Sequence, residues 1–123
     1  MDTSLENTKV KMPENVFLVI DKQLLPVTQE TVTIGRHPSN NLIITDPRVS
    51  RWHAQLRFEE GEFVIYDMDA KFGTCVNNEQ IQRCVLQSGD TISLANTPLL
   101  FIDRSDQMIR KIHDTTGMLS DSE

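Results

Sequence analysis

The sequence predicts an all-β sandwich. Short runs of β-branched and aromatic residues recur along most of the chain, and turn-forming Gly, Asn, Asp and Pro residues separate them every few positions. Several runs alternate apolar and polar residues, the pattern of strands with one buried face. About eleven such strands are typical of two packed sheets.

Length and composition indicate one globular domain with tails. The 123 residues, 38% hydrophobic and 24% charged, are enough for one core. No apolar run approaches the roughly 20 residues of a membrane span, and residues 1–15 lack the apolar segment of a secretory signal. We therefore expect a flexible arm at 1–15, a domain at 16–103 and a cytoplasmic location, or a nuclear one if the source is eukaryotic.

Four runs in the first half predict short strands, namely VFLVI at 16–20, LLPV at 24–27, TVTIG at 31–35 and LII at 42–44. The polar residues 21–23 between the first two predict a hairpin. Val32 and Ile34 alternate with threonines, so they should share one face. Asp46-Pro47 makes the segment after the fourth run irregular.

A long hairpin and shorter runs fill the second half. Ala54, Leu56 and Phe58 should face inward from HAQLRF, and FVIYDM should return after the turn EEGE. Further short strands are expected at 74–76, 80–81, 91–94 and 98–102. Beyond them, apolar residues between 104 and 113 fall at helical intervals, which predicts a short amphipathic helix in a C-terminal tail, 104–123, that could be a linker.

Charge and side-chain patterns exclude several functions. The net charge of −6 argues against nucleic-acid binding, which depends on clustered Lys and Arg. Ser50 and His53 have no evident Asp partner for catalysis, and the histidines are too dispersed for a metal site. Cys75 and Cys84 fit neither a disulfide framework nor a metal motif, so reduced thiols are expected. These patterns predict a protein that is not an enzyme and has no metal or cofactor.

Residue types that bind phosphate lie at predicted loops and strand ends. They are Arg36, Ser50, Arg51 and Lys71. Guanidinium groups, hydroxyls and free backbone N–H groups together suit a phosphate. A small basic focus on an acidic body favours one phosphate group over a polymer.

Three motifs in order resemble the forkhead-associated (FHA) domain, a β-sandwich of the SMAD/FHA-like type that binds phosphothreonine peptides. IGRHPSNNLIITDPRVSRWHAQL contains the GR, the Asn-containing loop and the SRxH of that family. YDMDAKFGTCVNNEQI is similar to its D-x-x-S-x-N-G-T-x-V-N stretch, and LQSGDTISLA to its L-x-x-GD-x-I-x-L-G strand and turn. The resemblance covers about residues 16–102 and implies a signalling module whose partner is a phosphothreonine-containing protein or peptide.

The resemblance also implies roles for individual residues. Those expected at the phosphopeptide are Arg36, Ser50, Arg51, Lys71, Phe72 and Arg48. Arg48 matches the position that selects the residue three after the phosphothreonine, where it would favour an acidic residue or be a plain surface Arg. Those expected to be structural are Gly35, Asn40, His53, Gly73, Thr74 and Asn77.

Two positions depart from the family pattern. Ala70 stands where Ser is usual, and Phe72 replaces the Asn that hydrogen-bonds the peptide backbone. Lys71 adds an ammonium beside it, and Lys-Phe-Gly-Thr resembles the variant loop of nibrin-type FHA domains. These departures leave a second hypothesis open, a phosphate-independent assembly or oligomerisation module; the oligomeric state is not predicted.

Overall fold

The computed structural model of the chain describes residues 10–105. It confirms the all-β sandwich, with eleven strands in two sheets within this range. In chain order the strands are β1 (Val16–Ile20), β2 (Gln23–Pro26), β3 (Thr31–Gly35), β4 (Leu42–Ile43), β5 (Ala54–Glu59), β6 (Glu62–Asp67), β7 (Thr74–Val76), β8 (Glu79–Ile81), β9 (Arg83–Val85), β10 (Thr91–Leu94) and β11 (Thr97–Asp103).

The strands form one sheet of six and one of five. The six-stranded sheet has the order β2-β1-β11-β10-β7-β8, and the five-stranded sheet has the order β4-β3-β5-β6-β9. The pairing of β3 with β4 is parallel, and the other described ladders are antiparallel. Apolar side chains from both sheets fill the space between them, among them Leu18, Ile34, Leu56, Ile65 and Phe101, each at most 1% exposed. The alternation in the sequence therefore corresponds to a shared core.

Two-residue turns close several of the hairpins. Asp21 and Lys22 both have positive φ angles, 53° and 69°, as do Asn77 and Asn78, 51° and 72°. Consecutive left-handed residues are typical of type I′ turns, whose twist matches that of paired strands. The hairpin predicted around residues 21–23 is confirmed, with Gln23 already in β2.

A few elements differ from the sequence predictions or lie outside the described range. Strand β9 was not predicted, and β4 ends one residue early, at Ile43. The helix predicted between 104 and 113 falls largely on residues outside 10–105. Within that range there is no helix with the length and apolarity to cross a membrane.

The strand register brings three loop segments to one end of the sandwich. Ala54 pairs with both Ile34 and Asp67, so β3, β5 and β6 reach this end together. At the opposite end the Arg104 N–H donates to the Asn15 carbonyl at 2.9 Å. We call residues 35–41, 46–53 and 68–73 the loop face.

Candidate functional site

Backbone hydrogen bonds join the loop after β3 to the loop before β5. The Arg36 N–H donates to the Ser50 carbonyl at 3.0 Å. One residue further, the His37 N–H donates to the Arg51 carbonyl at 3.1 Å. The two loops therefore run side by side, and residues that are distant in sequence, Arg36 and Ser50, become neighbours on the loop face.

This approach of the two loops needs Gly35 and Asn40. A Cβ atom on Gly35 would lie 2.2 Å from the Arg51 carbonyl oxygen, which is closer than atoms can pack. The Asn40 side-chain amide donates to the same oxygen at 2.7 Å and to the His37 carbonyl at 2.9 Å. Both residues are buried, and they hold the loops in register.

His53 connects the loop before β5 to the loop before β7. Its Nδ1 accepts a hydrogen bond from the Ser50 N–H at 3.0 Å, so the proton of the neutral ring is on Nε2. Nε2 lies 2.8 Å from the Gly73 carbonyl oxygen and donates to it. With both nitrogens used and the side chain 0% exposed, His53 is part of the scaffold.

A carboxylate that the sequence analysis did not single out shapes the segment 68–73. Asp67 Oδ1 accepts from the buried Thr74 hydroxyl at 2.6 Å, and its Oδ2 accepts from the N–H groups of Asp69 and Ala70 at 3.0 and 3.3 Å. Asp67 thus caps the turn that presents Lys71. In the sequence, Asp67 could have been identified as the residue that matches the Asp of the D-x-x-S-x-N-G-T-x-V-N stretch.

Ser50 is positioned by its hydroxyl as well as by its backbone. Its Oγ accepts a hydrogen bond from the Lys71 backbone N–H at 3.1 Å. An oxygen that accepts in this way still carries its own hydrogen. Ser50 is half-buried, so the O–H remains available as a donor to a ligand on the loop face.

Three exposed cationic residues, Arg36, Arg51 and Lys71, lie on the segments that adjoin Ser50. Arg36 is fixed by its Nε, which donates to the Val49 carbonyl at 3.0 Å and leaves the two terminal nitrogens for other partners. Arg51 is the next residue after Ser50, and Lys71 lies on the segment whose backbone N–H donates to the Ser50 hydroxyl. These three residues are the positive cluster of the loop face, on a chain whose net charge is −6.

Two large aromatic side chains beside the cluster are exposed. Phe72 is 56% exposed, and the Lys71 ammonium lies 5.5 Å from its ring centroid. Trp52, which the sequence analysis did not consider, is 50% exposed and stacks on His37 with ring centroids 4.8 Å apart. The one tryptophan of the chain is therefore on the surface, within the SRxH segment.

Arg48 lies on the loop face but is engaged by a neighbouring acid. Its Nη2 and Nε donate to the two carboxylate oxygens of Asp46 at 3.1 and 3.3 Å. These side-chain hydrogen bonds, followed by one from the Arg48 backbone N–H, lower the pKa of Asp46 to about 2. The guanidinium is thus an ion-pair partner of Asp46.

Other residues lie away from the loop face. Asn77 is in the turn after β7, where its side chain donates to Asp90 at 2.9 Å and accepts from the Thr91 N–H at 3.0 Å. Cys75 and Cys84 are free thiols on separate sheets. Among residues 10–105 no group of three or more His, Cys, Asp and Glu side chains is placed to hold a metal ion.

A match to a family model shows to which protein family this chain belongs. A family model described as FHA domain matches residues 32–95. The chain belongs to the FHA domain family. The match includes the loops of the FHA fold that carry Arg36, Ser50, His53 and Lys71.

Curated relatives are similar to this chain over 74 residues. An oxoglutarate dehydrogenase inhibitor of Corynebacterium efficiens is 43% identical over 74 residues, 60% of this chain and 52% of the relative. The glycogen accumulation regulator GarA of Mycolicibacterium smegmatis is 39% identical over 74 residues, 60% of this chain and 47% of the relative. The chain spans about half the length of the curated relatives it matches.

Solved FHA structures have the same architecture. An FHA domain studied for phosphothreonine-dependent interactions aligns with a TM-score of 0.68 and 26% identity, covering 72% of this chain and 95% of that one. EmbR of Mycobacterium tuberculosis, in complex with a low-affinity phosphopeptide, aligns with a TM-score of 0.68 and 26% identity, covering 71% of this chain and 24% of EmbR.

Proposed function

We propose that this chain is a phosphothreonine-dependent peptide-binding module in protein–protein signalling and that the loop face is its binding surface. One observation carries the proposal. The Ser50 hydroxyl accepts from the Lys71 N–H and keeps its own hydrogen for a ligand, at the junction of two segments that carry cations. A phosphate oxygen is the acceptor that such a donor set favours.

The charges around Ser50 suit one phosphate monoester. A phosphothreonine carries a charge of about −1.5 to −2 at neutral pH, with three acceptor oxygens. Arg36, Arg51 and Lys71 would supply the positive charge, and Ser50 a directed hydroxyl donor. The solved FHA structures with phosphothreonine-dependent interactions and a bound phosphopeptide support the same ligand class.

The loop with sequence Lys-Phe-Gly-Thr is a variant in this proposal. Phe72 offers no hydrogen-bonding group, so the grip on the peptide backbone that an Asn would provide is missing. Lys71 would compensate through its ammonium, which stands close to the Phe72 ring. Affinity would then depend more on the phosphate and less on the peptide backbone than in a domain with Asn at this position.

The domain limits, the class and the location complete the proposal. The binding module comprises residues 16–103, flanked by the arm at 1–15 and the tail at 104–123. It acts through binding and not as an enzyme, which the names of the inhibitor and regulator relatives support. We expect it in the cytoplasm, and cell fractionation would test that location.

The test is a titration with a degenerate phosphothreonine peptide library and its unphosphorylated twin, measured by calorimetry on the full chain. Only the phosphorylated library should bind. Arg36→Ala should weaken this binding, whereas Arg104→Ala, which removes the same charge at the opposite end of the sandwich, should not. Equal binding of both libraries, or binding of neither, would contradict the proposal.

The exposed aromatic surface of the loop face favours a second candidate, phosphate-independent assembly. Phe72 is 56% exposed and Trp52 is 50% exposed. Such rings often mark protein contacts. Light scattering after size exclusion would reveal a concentration-dependent oligomer that Trp52→Ala or Phe72→Ala abolishes; a strict monomer without an unmodified partner speaks against this candidate.

A further inference from the structure

Arg48 and Asp46 make a tightly matched pair on the loop face. Two guanidinium nitrogens of Arg48 reach the two oxygens of the Asp46 carboxylate at 3.1 and 3.3 Å. The Arg48 backbone N–H donates to the same carboxylate at 2.9 Å. This fork-to-fork geometry uses the Nε–Nη2 edge of the guanidinium, one of the two edges with which an Arg can bind a ligand carboxylate.

Asp46 is itself held in place from the other sheet. The Thr97 hydroxyl, at the start of β11, donates to Asp46 Oδ2 at 3.2 Å. The carboxylate therefore has partners on both sides and is 21% exposed, while the Arg48 side chain is 52% exposed. The less exposed Asp46, held by Thr97, therefore fixes the position of the Arg48 guanidinium.

The cleft beside this pair contains one further carboxylate, that of Asp21. Asp46 lines a surface cleft together with Asp21, Ile43, Pro47 and Thr97. A peptide carboxylate that approached Arg48 would meet a guanidinium that is already neutralised, with a second carboxylate on the same cleft. Like-charge repulsion from both acids offsets the attraction of the single Arg.

We propose that Asp46 is a specificity-determining residue that withdraws Arg48 from peptide recognition. Arg48 alone would favour an acidic residue downstream of the phosphothreonine. With Asp46 bound to it, the domain accepts neutral and acidic residues there equally. This inference rests on the proposed phosphothreonine-binding function. It concerns only the charge of the peptide side chains that follow the phosphothreonine.

The pKa of Asp46, lowered to about 2, supports this arrangement, because the carboxylate stays ionised at any pH at which peptides would be measured. The Arg48 guanidinium is stabilised in return, and its pKa is raised. Protonation therefore does not release Arg48 under ordinary conditions. Asp46→Asn is the substitution that does so, because it keeps the size of the side chain and an oxygen for the Arg48 N–H while removing the charge.

The experiment uses the full chain and a set of phosphothreonine peptides with alanine at the four following positions. A single Asp is placed at each position in turn, and each peptide is also made unphosphorylated. For wild type, the Kd ratio of the alanine peptide to each aspartate peptide should stay within about 2-fold of one. For Asp46→Asn, one position should favour Asp by about 3- to 5-fold, the strength of an exposed ion pair.

Two controls separate this effect from a general change in charge. Asp69→Asn removes an exposed carboxylate elsewhere on the loop face and should change all phosphopeptides alike, leaving the ratio unaltered. Adding Arg48→Ala to Asp46→Asn should abolish the new preference. A Kd ratio does not respond to a stability change that affects all peptides equally, so it reports the role of the charge pair.

The possible outcomes are distinct. A preference for Asp in wild type that Arg48→Ala removes would overturn the inference, and so would an unchanged ratio in Asp46→Asn. In both cases the dependence on phosphate would still support the proposed function. If no phosphorylated peptide binds wild type, the proposed function fails and this inference fails with it.

Discussion

His53 Nε2 lies 2.8 Å from the carbonyl oxygen of Gly73, a contact that ties the five-stranded sheet to the loop before β7 in the six-stranded sheet. The same ring accepts the Ser50 N–H through Nδ1. One buried side chain therefore sets the distance between Ser50 and the segment that carries Lys71. The shape of the candidate phosphate site depends on this contact although His53 is fully buried.

Replacing His53 with Ala should destabilise the domain by about 2–4 kcal/mol, because it leaves a cavity and removes the partner of the Ser50 N–H. Urea unfolding measures this loss. His37→Ala is the control, since His37 is half-buried, stacks on Trp52 and accepts one exposed hydrogen bond, from the Ser39 N–H; it should cost about 1 kcal/mol or less. If both variants lose the same free energy of unfolding, the two hydrogen bonds of His53 do not stabilise the domain beyond an ordinary half-buried side chain.

Gly35→Ala should be among the most damaging small substitutions in the chain. The new methyl group would meet the Arg51 carbonyl at 2.2 Å, and that carbonyl also accepts from Asn40 and His37. We expect a loss of at least about 3 kcal/mol in thermal or urea unfolding. Gly89→Ala is the matched control, because no atom lies within 4 Å and only its φ of +98° opposes a side chain.

For Gly89→Ala the cost should be about 1–2 kcal/mol, the penalty of a left-handed backbone. The comparison separates crowding from backbone strain, since each variant adds one methyl group. A Gly35→Ala protein as stable as the Gly89→Ala protein would mean that the two loops can move apart, and the role given to Gly35 would then be wrong.

The strands could be predicted where local sequence determines them. Val32 and Ile34 alternate with threonines, and the turn at Asp21 and Lys22 is polar and short, so pattern and turn agree. Strand β9 has three residues and no fully buried side chain, which leaves too little periodicity to detect. The short β4 depends on its parallel pairing with β3, which is not a local property.

The site was predictable only where a motif carries it. Residue types and motifs predicted that Arg36, Ser50 and Lys71 belong to one loop surface. The pairing of Arg48 with Asp46 was not predicted, because it depends on the turn at Pro47 and on Thr97, which is distant in sequence. Trp52 was missed for a similar reason. Nothing local shows that it points outward while the adjacent His53 points into the core.

Ser50→Ala should weaken phosphopeptide binding by about 10- to 100-fold, the loss of one charge-assisted hydrogen bond. Calorimetry with the best peptide from the library measures the change. Ser39→Ala is the control, an exposed serine of the loop face whose backbone alone contacts His37, and it should leave Kd unchanged. Unaltered binding by Ser50→Ala would mean that its hydroxyl does not meet the phosphate.

Phe72→Asn should strengthen phosphopeptide binding by about 2- to 10-fold, because an amide at this position can hydrogen-bond the peptide backbone. Phe72 is 56% exposed, so stability should change by less than about 0.5 kcal/mol. Phe72→Ala removes the ring without adding an amide and should not strengthen binding. If Phe72→Asn weakens binding as much as Phe72→Ala does, the ring itself holds the peptide.

The Asp46–Arg48 pair predicts how stability changes in acid. The pKa of Asp46 falls from an ordinary value of 3.8 to about 2 in the folded protein, chiefly through the Arg48 side chain. Folding therefore favours the ionised form. The contribution to stability is complete above about pH 4 and is lost as the pH falls through about 2, where folded and unfolded chains are both protonated.

Asp46→Asn lacks this titration, so the stability difference between wild type and variant should narrow as the pH is lowered from 5 to 2. Urea unfolding at pH 5, 3 and 2 measures it. Asp69→Asn provides the comparison, because Asp69 contributes only its backbone N–H to the described hydrogen bonds of this loop. A difference between wild type and Asp46→Asn that stays constant across this range would show that Arg48 does not hold the carboxylate. The proposal that Asp46 withdraws Arg48 from peptide recognition would then be wrong.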